Sequence, residues 1–257
     1  MKLLYWNIHK NENSKYINAS LESGEIDFML LSEYEGLNVN KVSIKNPNYI
    51  INSASDKVLV IHKDDIDIIN AFEATRYCIL TTKYKGELFV LVGLHLPSNV
   101  HGGTEDRKEV IRPLIYDLKS IETKFCTNNT IVIGDFNSSP FDAELTQKTL
   151  FNAVLFKKLI LDKERIKYNG HFYKRFYNPM LDLISEESEQ YGSHYYNTGI
   201  NTLVWYCYDQ VLVRKPLIDR LRSVNFCKQV SGCLLLSQNG IPRSSISDHL
   251  PLEVEVV

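Results

Sequence analysis

The run Ile131-Val132-Ile133-Gly134-Asp135-Phe136-Asn137 constrains this chain more than any other stretch. A short β-branched apolar segment that ends in an acid, an aromatic and an amide reads as a buried strand delivering polar groups at its C-terminal end. Asp135 and Asn137 stand two apart, so on a strand they share one side. Ser138-Ser139-Pro140 then supply a turn. Strand ends of this kind are where open α/β sheets place ligands and chemistry.

Other segments repeat the theme. Residues 2–6 are apolar and give way to Asn7, and Asp27 to Ser32 is a hydrophobic strand closed by Glu33. Between them residues 14–23 predict a helix with Tyr16, Ile17, Ala19 and Leu21 on its apolar face and Gly24 as its stop. Strand, helix and strand at this spacing predict a βαβ unit with Asn7 and Glu33 on neighbouring strand ends. From about 48 to 96 the pattern predicts an antiparallel meander with a hairpin at Lys85-Gly86-Glu87, its last strand ending in His95. Apolar positions Val110, Ile111, Leu114, Ile115, Leu118 and Ile121 predict a long amphipathic helix over 105–125. It feeds a strand at 130–136.

After Pro140, helices are expected at about 141–149 and 152–162. An acidic loop follows at Glu186 to Glu189, then strands at 203–214, 223–226, 233–236 and 250–257. Asp209 interrupts an otherwise apolar stretch, where an ionised carboxylate needs a partner. Ser247-Asp248-His249 precedes the terminal strand.

Strands and helices alternate through both halves with no linker or repeat, which predicts one α/β domain over 1–257. The architecture expected is a four-layered α-β-β-α sandwich, two packed mixed or mostly antiparallel sheets with helices outside. Five widely spaced cysteines form no metal or disulfide pattern, and no apolar run is long enough to span a bilayer. The N-terminus shows no apolar leader, so a cytoplasmic enzyme without membrane insertion is expected; no obligate protein partner is readable. A net charge of −2 argues against a histone-like polycation while leaving room for a local basic patch.

Tyr5-Trp6-Asn7, Leu31-Ser32-Glu33, Gly93-Leu94-His95, Gly134-Asp135-Phe136-Asn137, Tyr208-Asp209-Gln210-Val211 and Ser247-Asp248-His249 together resemble the endonuclease/exonuclease/phosphatase superfamily, in its order and over nearly the whole chain. The resemblance implies a metal-dependent phosphodiesterase. Glu33 would be a principal ligand of Mg²⁺ or Mn²⁺, with Asn7 and Asp248 adjacent; oxygen donors suit these hard cations. His249 would be the active-site histidine, oriented by Asp209. Asp135 and Asn137 would contact the attacking water and the phosphate, and His95 would be a phosphate contact or an acid for the leaving oxygen. Arg107 would hold the phosphate, with Arg112 competing for that role. His9 departs from members that carry an acid two residues after the asparagine.

The segment Lys167 to Tyr177 interleaves cations with aromatics, which suits backbone phosphates and stacked bases. Lys174 and Arg175 are therefore expected to bind substrate. The alternative is that the aromatics fill a core and the cations are solvated. A nuclease acting on DNA or RNA is the leading reading. A phosphoesterase of inositol phosphates or sphingomyelin is the competitor, and a non-catalytic binding module of the same fold is a third.

Overall fold

A computed structural model describes residues 1–53, 55–98, 103–184, 189 and 191–257. Strand β1 (Lys2–Asn7) leads through α1 (Ser14–Leu21) to β2 (Phe28–Ser32). The two strands pair in parallel with Asn7 opposite Ser32, giving the βαβ unit expected. Then come α2 (Val39–Lys45), β3 (Tyr49–Ser53), β4 (Leu59–Lys63), β5 (Asp67–Glu73), β6 (Tyr77–Tyr84) and β7 (Glu87–His95). Helix α3 (Thr104–Lys124) and strand β8 (Thr130–Asp135) match the periodicity closely.

The second half is made of shorter pieces: α4 (Ala143–Thr146), β9 (Ala153–Val154), α5 (Lys157–Asp162), β10 (Arg165–Tyr168), β11 (His171–Lys174), β12 (Phe176–Tyr177) and α6 (Met180–Leu183). It closes with β13 (His194–Tyr195), β14 (Trp205–Tyr206), β15 (Asp209–Val213), β16 (Leu221–Phe226), β17 (Gln229–Val230), β18 (Cys233–Leu234) and β19 (Leu252–Val256).

A six-stranded sheet, β16-β19-β1-β2-β4-β3, faces a seven-stranded sheet, β5-β6-β7-β8-β15-β12-β9. The β1/β2, β7/β8 and β9/β12 pairs are parallel and the rest antiparallel, so the expected sandwich of two mostly antiparallel sheets is what forms. Strand β8 explains its own sequence. Ile131 and Ile133 enter the core between the sheets, while Val132 enters a second core with Leu114 and Leu118 of α3. Burial on both faces demands an unbroken apolar run, and each such side chain contributes roughly 1.5–3 kcal/mol. Gly134 is required for a different reason: a Cβ there would stand 2.1 Å from Leu94 O on the neighbouring strand.

Four expectations are corrected. The meander is divided between the sheets, because β3 and β4 pair with β2 whereas β5, β6 and β7 join β8. Its hairpin is tighter than expected: Lys85 and Gly86, both at positive φ, make a two-residue turn with Tyr84 opposite Glu87. The helix expected at 152–162 starts as a strand, since Asn152 at φ +51° breaks the chain and Ala153–Val154 pairs with Phe176–Tyr177. The stretch 203–214 is likewise two strands, separated at Cys207-Tyr208. Of the acidic loop at 186–189, only Glu189 falls within the described residues.

Candidate active site

Topology gathers the polar strand ends on one rim. Asn7, Glu33, His95 and Asp135 all follow from the C-terminal ends of the parallel pairs β1/β2 and β7/β8. Strand β15 runs antiparallel to β8 with Asp209 opposite Asp135, so its first residue reaches the same rim. Strand β19 runs antiparallel to β1, which brings Asp248-His249 there just before β19 begins.

Hydrogen bonds tie these ends together. Asn7 Nδ2 donates to Glu33 Oε1 and to Asp135 Oδ2, both at 3.2 Å, and Asn7 Oδ1 accepts the His9 N–H. With its oxygen turned to the backbone, the Asn7 amide bridges two carboxylates. The other oxygen of Asp135 accepts the Asn137 N–H at 2.8 Å, and Asn137 Nδ2 donates to Leu96 O. Glu33 and Asn137 both stand at positive φ, +49° and +47°. The asparagine tolerates this; for the glutamate it costs on the order of 1–3 kcal/mol, a strain found where geometry serves a site.

His249 Nδ1 lies 2.7 Å from Asp209 Oδ2, with both side chains buried. Trp6 Nε1 donates to His249 O, and Ser247 Oγ donates to Asn7 O while accepting the His249 N–H. The histidine is thereby fixed against β1. Burial works against its charged form, yet Asp209, then Asp135 and Asp248, overcome it and raise its pKa to about 10. His95 goes the other way: burial lowers its pKa despite Asp135 and Glu33, whose oxygens lie 3.8 and 3.7 Å from its Nε2. His95 Nδ1 and Asp209 Oδ1 have no hydrogen-bond partner among the described residues.

Two histidines complete the rim. His9 Nδ1 stands 3.2 Å from Asp248 Oδ1 and 4.0 Å from Glu33 Oε2. In the sequence it stands out only as a departure from the family pattern. His194, on the short β13, was missed altogether; its ring centre is 4.4 Å from that of His249, and its Nδ1 is 3.2 Å from Asp248 O. Burial, then the neighbouring His249, pushes His194 down to about 4. Tyr208 stacks on His194 at 5.6 Å and on Tyr206 at 5.1 Å, so an aromatic bank leads from the dyad toward solvent. The only trace of His194 in the sequence is Ser193-His194-Tyr195-Tyr196, with no apolar run to mark a strand.

The donor set suits a divalent cation. His9 Nδ1 reaches a carboxylate oxygen of Asp248 and, more distantly, one of Glu33, and ligand atoms of His194, Asp248 and His249 lie within 4.8 Å of one another; oxygens supplemented by ring nitrogens suit such an ion. Ligand atoms of Asp135, Asp209 and His249 also lie within 4.8 Å of one another, but the proton between His249 and Asp209 already joins two of them.

Of the expected cations, Arg107 stays near the rim, its Nη1 3.4 Å from Pro97 O and its charge acting on Tyr208, whereas Lys174 and Arg175 lie elsewhere. Arg107 is buried, and its Nε donates to Glu144 Oε1 at 2.8 Å. Because β12 and β15 are antiparallel, Lys174 and Arg175 lie beside Arg214, at the end of the second sheet away from Asp135. Lys174 Nζ binds Glu122, and Arg175 donates to Leu159 O and Lys163 O. They are not part of this cluster. No described helix is long and apolar enough to cross a membrane.

No family model matches the sequence, and no curated protein matches it. Solved structures do match the fold across the chain. The human nocturnin catalytic domain with bound sulfate is 14% identical, with a TM-score of 0.63, covering 100% of this chain and 94% of that one. TDP2 from D. rerio, complexed with a single-strand DNA product, is 15% identical with a TM-score of 0.61, covering 99% and 97%. An endonuclease/exonuclease/phosphatase from Bacteroides vulgatus is 12% identical with a TM-score of 0.60, covering 100% and 98%.

Proposed function

Since the chain has the fold of the endonuclease/exonuclease/phosphatase superfamily, we propose that it is a divalent-metal-dependent phosphodiesterase, and most specifically a nuclease acting on DNA or RNA. The observation that carries this is the convergence of the His249–Asp209 pair, Asp135, Glu33 and Asp248 on one rim, with His9 beside both of the last two.

A phosphodiester is anionic, so the site must both relieve charge and position a water. Asp135, its two oxygens held by Asn7 and by the Asn137 N–H, takes the proton of the attacking water. His249, charged and aimed by Asp209, donates from Nε2 to a phosphoryl oxygen. His95 faces the same space from β7 and contacts the phosphate or protonates the leaving oxygen. A cation held by Glu33, Asp248 and His9 would draw charge from the phosphate.

The aromatic bank of His194, Tyr208 and Tyr206 suits a stacked base beside the reacting phosphate, and a single-strand DNA product occupies a protein of this fold. A second reading, a small-molecule phosphoesterase, draws on the placement of Lys174 and Arg175, which lie at the other end of the sheet and do not grip a polyanion at the rim.

A substrate panel separates the two. Plasmid, single-stranded DNA, abasic duplex and RNA are offered with Mg²⁺ or Mn²⁺, alongside inositol phosphates and sphingomyelin. Cleavage of a nucleic acid, abolished by EDTA, is the expected result. Turnover of a small ester alone defeats the nuclease assignment, and no turnover of any substrate defeats the phosphodiesterase.

His9 makes a prediction of its own. A nitrogen donor favours Mn²⁺ over Mg²⁺ relative to an all-oxygen site. In His9→Asp the ratio of Mn²⁺ to Mg²⁺ affinity, measured by calorimetry with no substrate present, should fall roughly tenfold. An unchanged ratio would remove His9 from the ligand set.

A further inference from the structure

The aromatic and cationic segment takes no part in the strand-end cluster, and it borders a cleft of its own. This cleft, 560 Å³ in volume, lies between α3 and the β10–β11 hairpin, at the end of the second sheet opposite Asp135. That size is right for one small ligand. In its floor sits Glu122, its side chain 1% exposed, which binds Arg214 Nε at 2.9 Å and Lys174 Nζ at 3.0 Å. Two cations on one carboxylate leave the floor with an excess positive charge.

Further cations line the walls. Lys119 projects from α3 and Arg165 from the hairpin, and neither has a carboxylate partner among the described residues. In a chain whose net charge is −2, this concentration is local. Aromatic surface accompanies it: Phe172 is 53% exposed and Tyr116 is 76% exposed, both on the cleft. Arg165 stacks over Phe172 at 4.6 Å, a cation held flat against a ring. Exposed rings serve stacking, and unpaired cations in a concave setting serve phosphate.

We infer that this cleft is a second binding site, separate from the hydrolytic rim, for a nucleoside phosphate whose base stacks on Phe172 and Tyr116 while Lys119 and Arg165 meet its phosphate. The same chemistry is presented by a free nucleotide and by one unit of a single strand.

The test uses the full chain in EDTA, so no hydrolysis is involved and the outcome is independent of the activity proposed above. Binding of AMP and ribose 5-phosphate is followed by calorimetry, and that of a labelled oligothymidylate by anisotropy. AMP or the oligonucleotide should bind saturably, and a preference between them identifies the source. Affinity should drop roughly tenfold or more in Lys119→Glu/Arg165→Glu, and roughly fivefold in Phe172→Ala. Ribose 5-phosphate should bind more weakly than AMP by a similar factor, and His249→Ala should bind as the parent does. The thermal midpoint of each variant checks that the hairpin is intact, and the charge-reversal pair carries the test if Phe172→Ala loosens it. Three results overturn the inference: no saturable binding of either probe at millimolar concentration, binding indifferent to the charge reversals, or ribose 5-phosphate binding as tightly as AMP.

Discussion

Alanine at His249 is expected to lower phosphoester hydrolysis by about 10²–10⁴-fold, the range for losing a positioned proton-transfer group. The fold should survive, because the backbone ties of this residue run through its carbonyl to Trp6 and its N–H to Ser247. Asp209→Asn should produce much of the same loss by a different route. It removes the charge that keeps the imidazole protonated against burial, so the ring pKa should fall well below its raised value of about 10. The pH dependence has a definite sign. A histidine raised from about 6.5 in the unfolded chain contributes stability that is complete below that value and is lost as pH rises through 10. Metal-free protein should therefore lose this contribution between those limits, and His249→Ala should flatten the slope. Ring NMR titration and chemical unfolding across that window measure both. Full activity in either variant, or an imidazole titrating at its ordinary value, would sink the assignment.

The largest stability effect is expected far from that rim. Glu122, in the last turn of α3, is buried, and Thr130 Oγ1, Arg214 Nε and Lys174 Nζ all bind its carboxylate. Burial favours its neutral form, yet Arg214 and Lys174 hold its pKa below the usual carboxylate range. Glu122→Leu strands the guanidinium of Arg214, whose side chain is 6% exposed and packed on Phe176 at 3.6 Å. Removing one partner of a buried pair costs about 3–5 kcal/mol, whereas replacing both is often close to neutral. Glu122→Leu should therefore lower the unfolding free energy by about 3–5 kcal/mol, and adding Arg214→Met should restore most of it. Urea unfolding with its midpoint and slope decides the matter. A loss under about 1 kcal/mol would mean that water reaches the pair after all.

Much of the fold was legible because apolar strand runs and polar strand ends are local facts. Asn7, Glu33, His95, Asp135 and Asp209 each close or open a hydrophobic stretch, and parallel pairing then forces them onto one rim. What a local pattern cannot carry is the partner of a strand. The meander's division between two sheets is settled by which edge each strand meets, and nothing in residues 59–73 encodes that edge. Lys174 and Arg175 illustrate the same blindness. Their composition is right for a substrate surface, but the direction of β12 carries them to the opposite end of the sheet. His194 was hidden because β13 is two residues long and its role comes from a bridge to His249 across the fold.

Strand β1 lies between β2 and β19, with Tyr5 opposite both Leu30 and Leu252. During translation, residues 2–7 leave the ribosome far ahead of residues 252–256. For that interval the middle of the first sheet has an unpaired edge, which is an invitation to wrong partners. The same delay governs chemistry. Asp248 and His249 arrive with the strand that closes the edge, and His249 is pinned by Trp6 only once β19 has docked. The His249–Asp209 pair is thus assembled only after β19 has been made, and a ribosome-bound fragment that stops short of β19 lacks it.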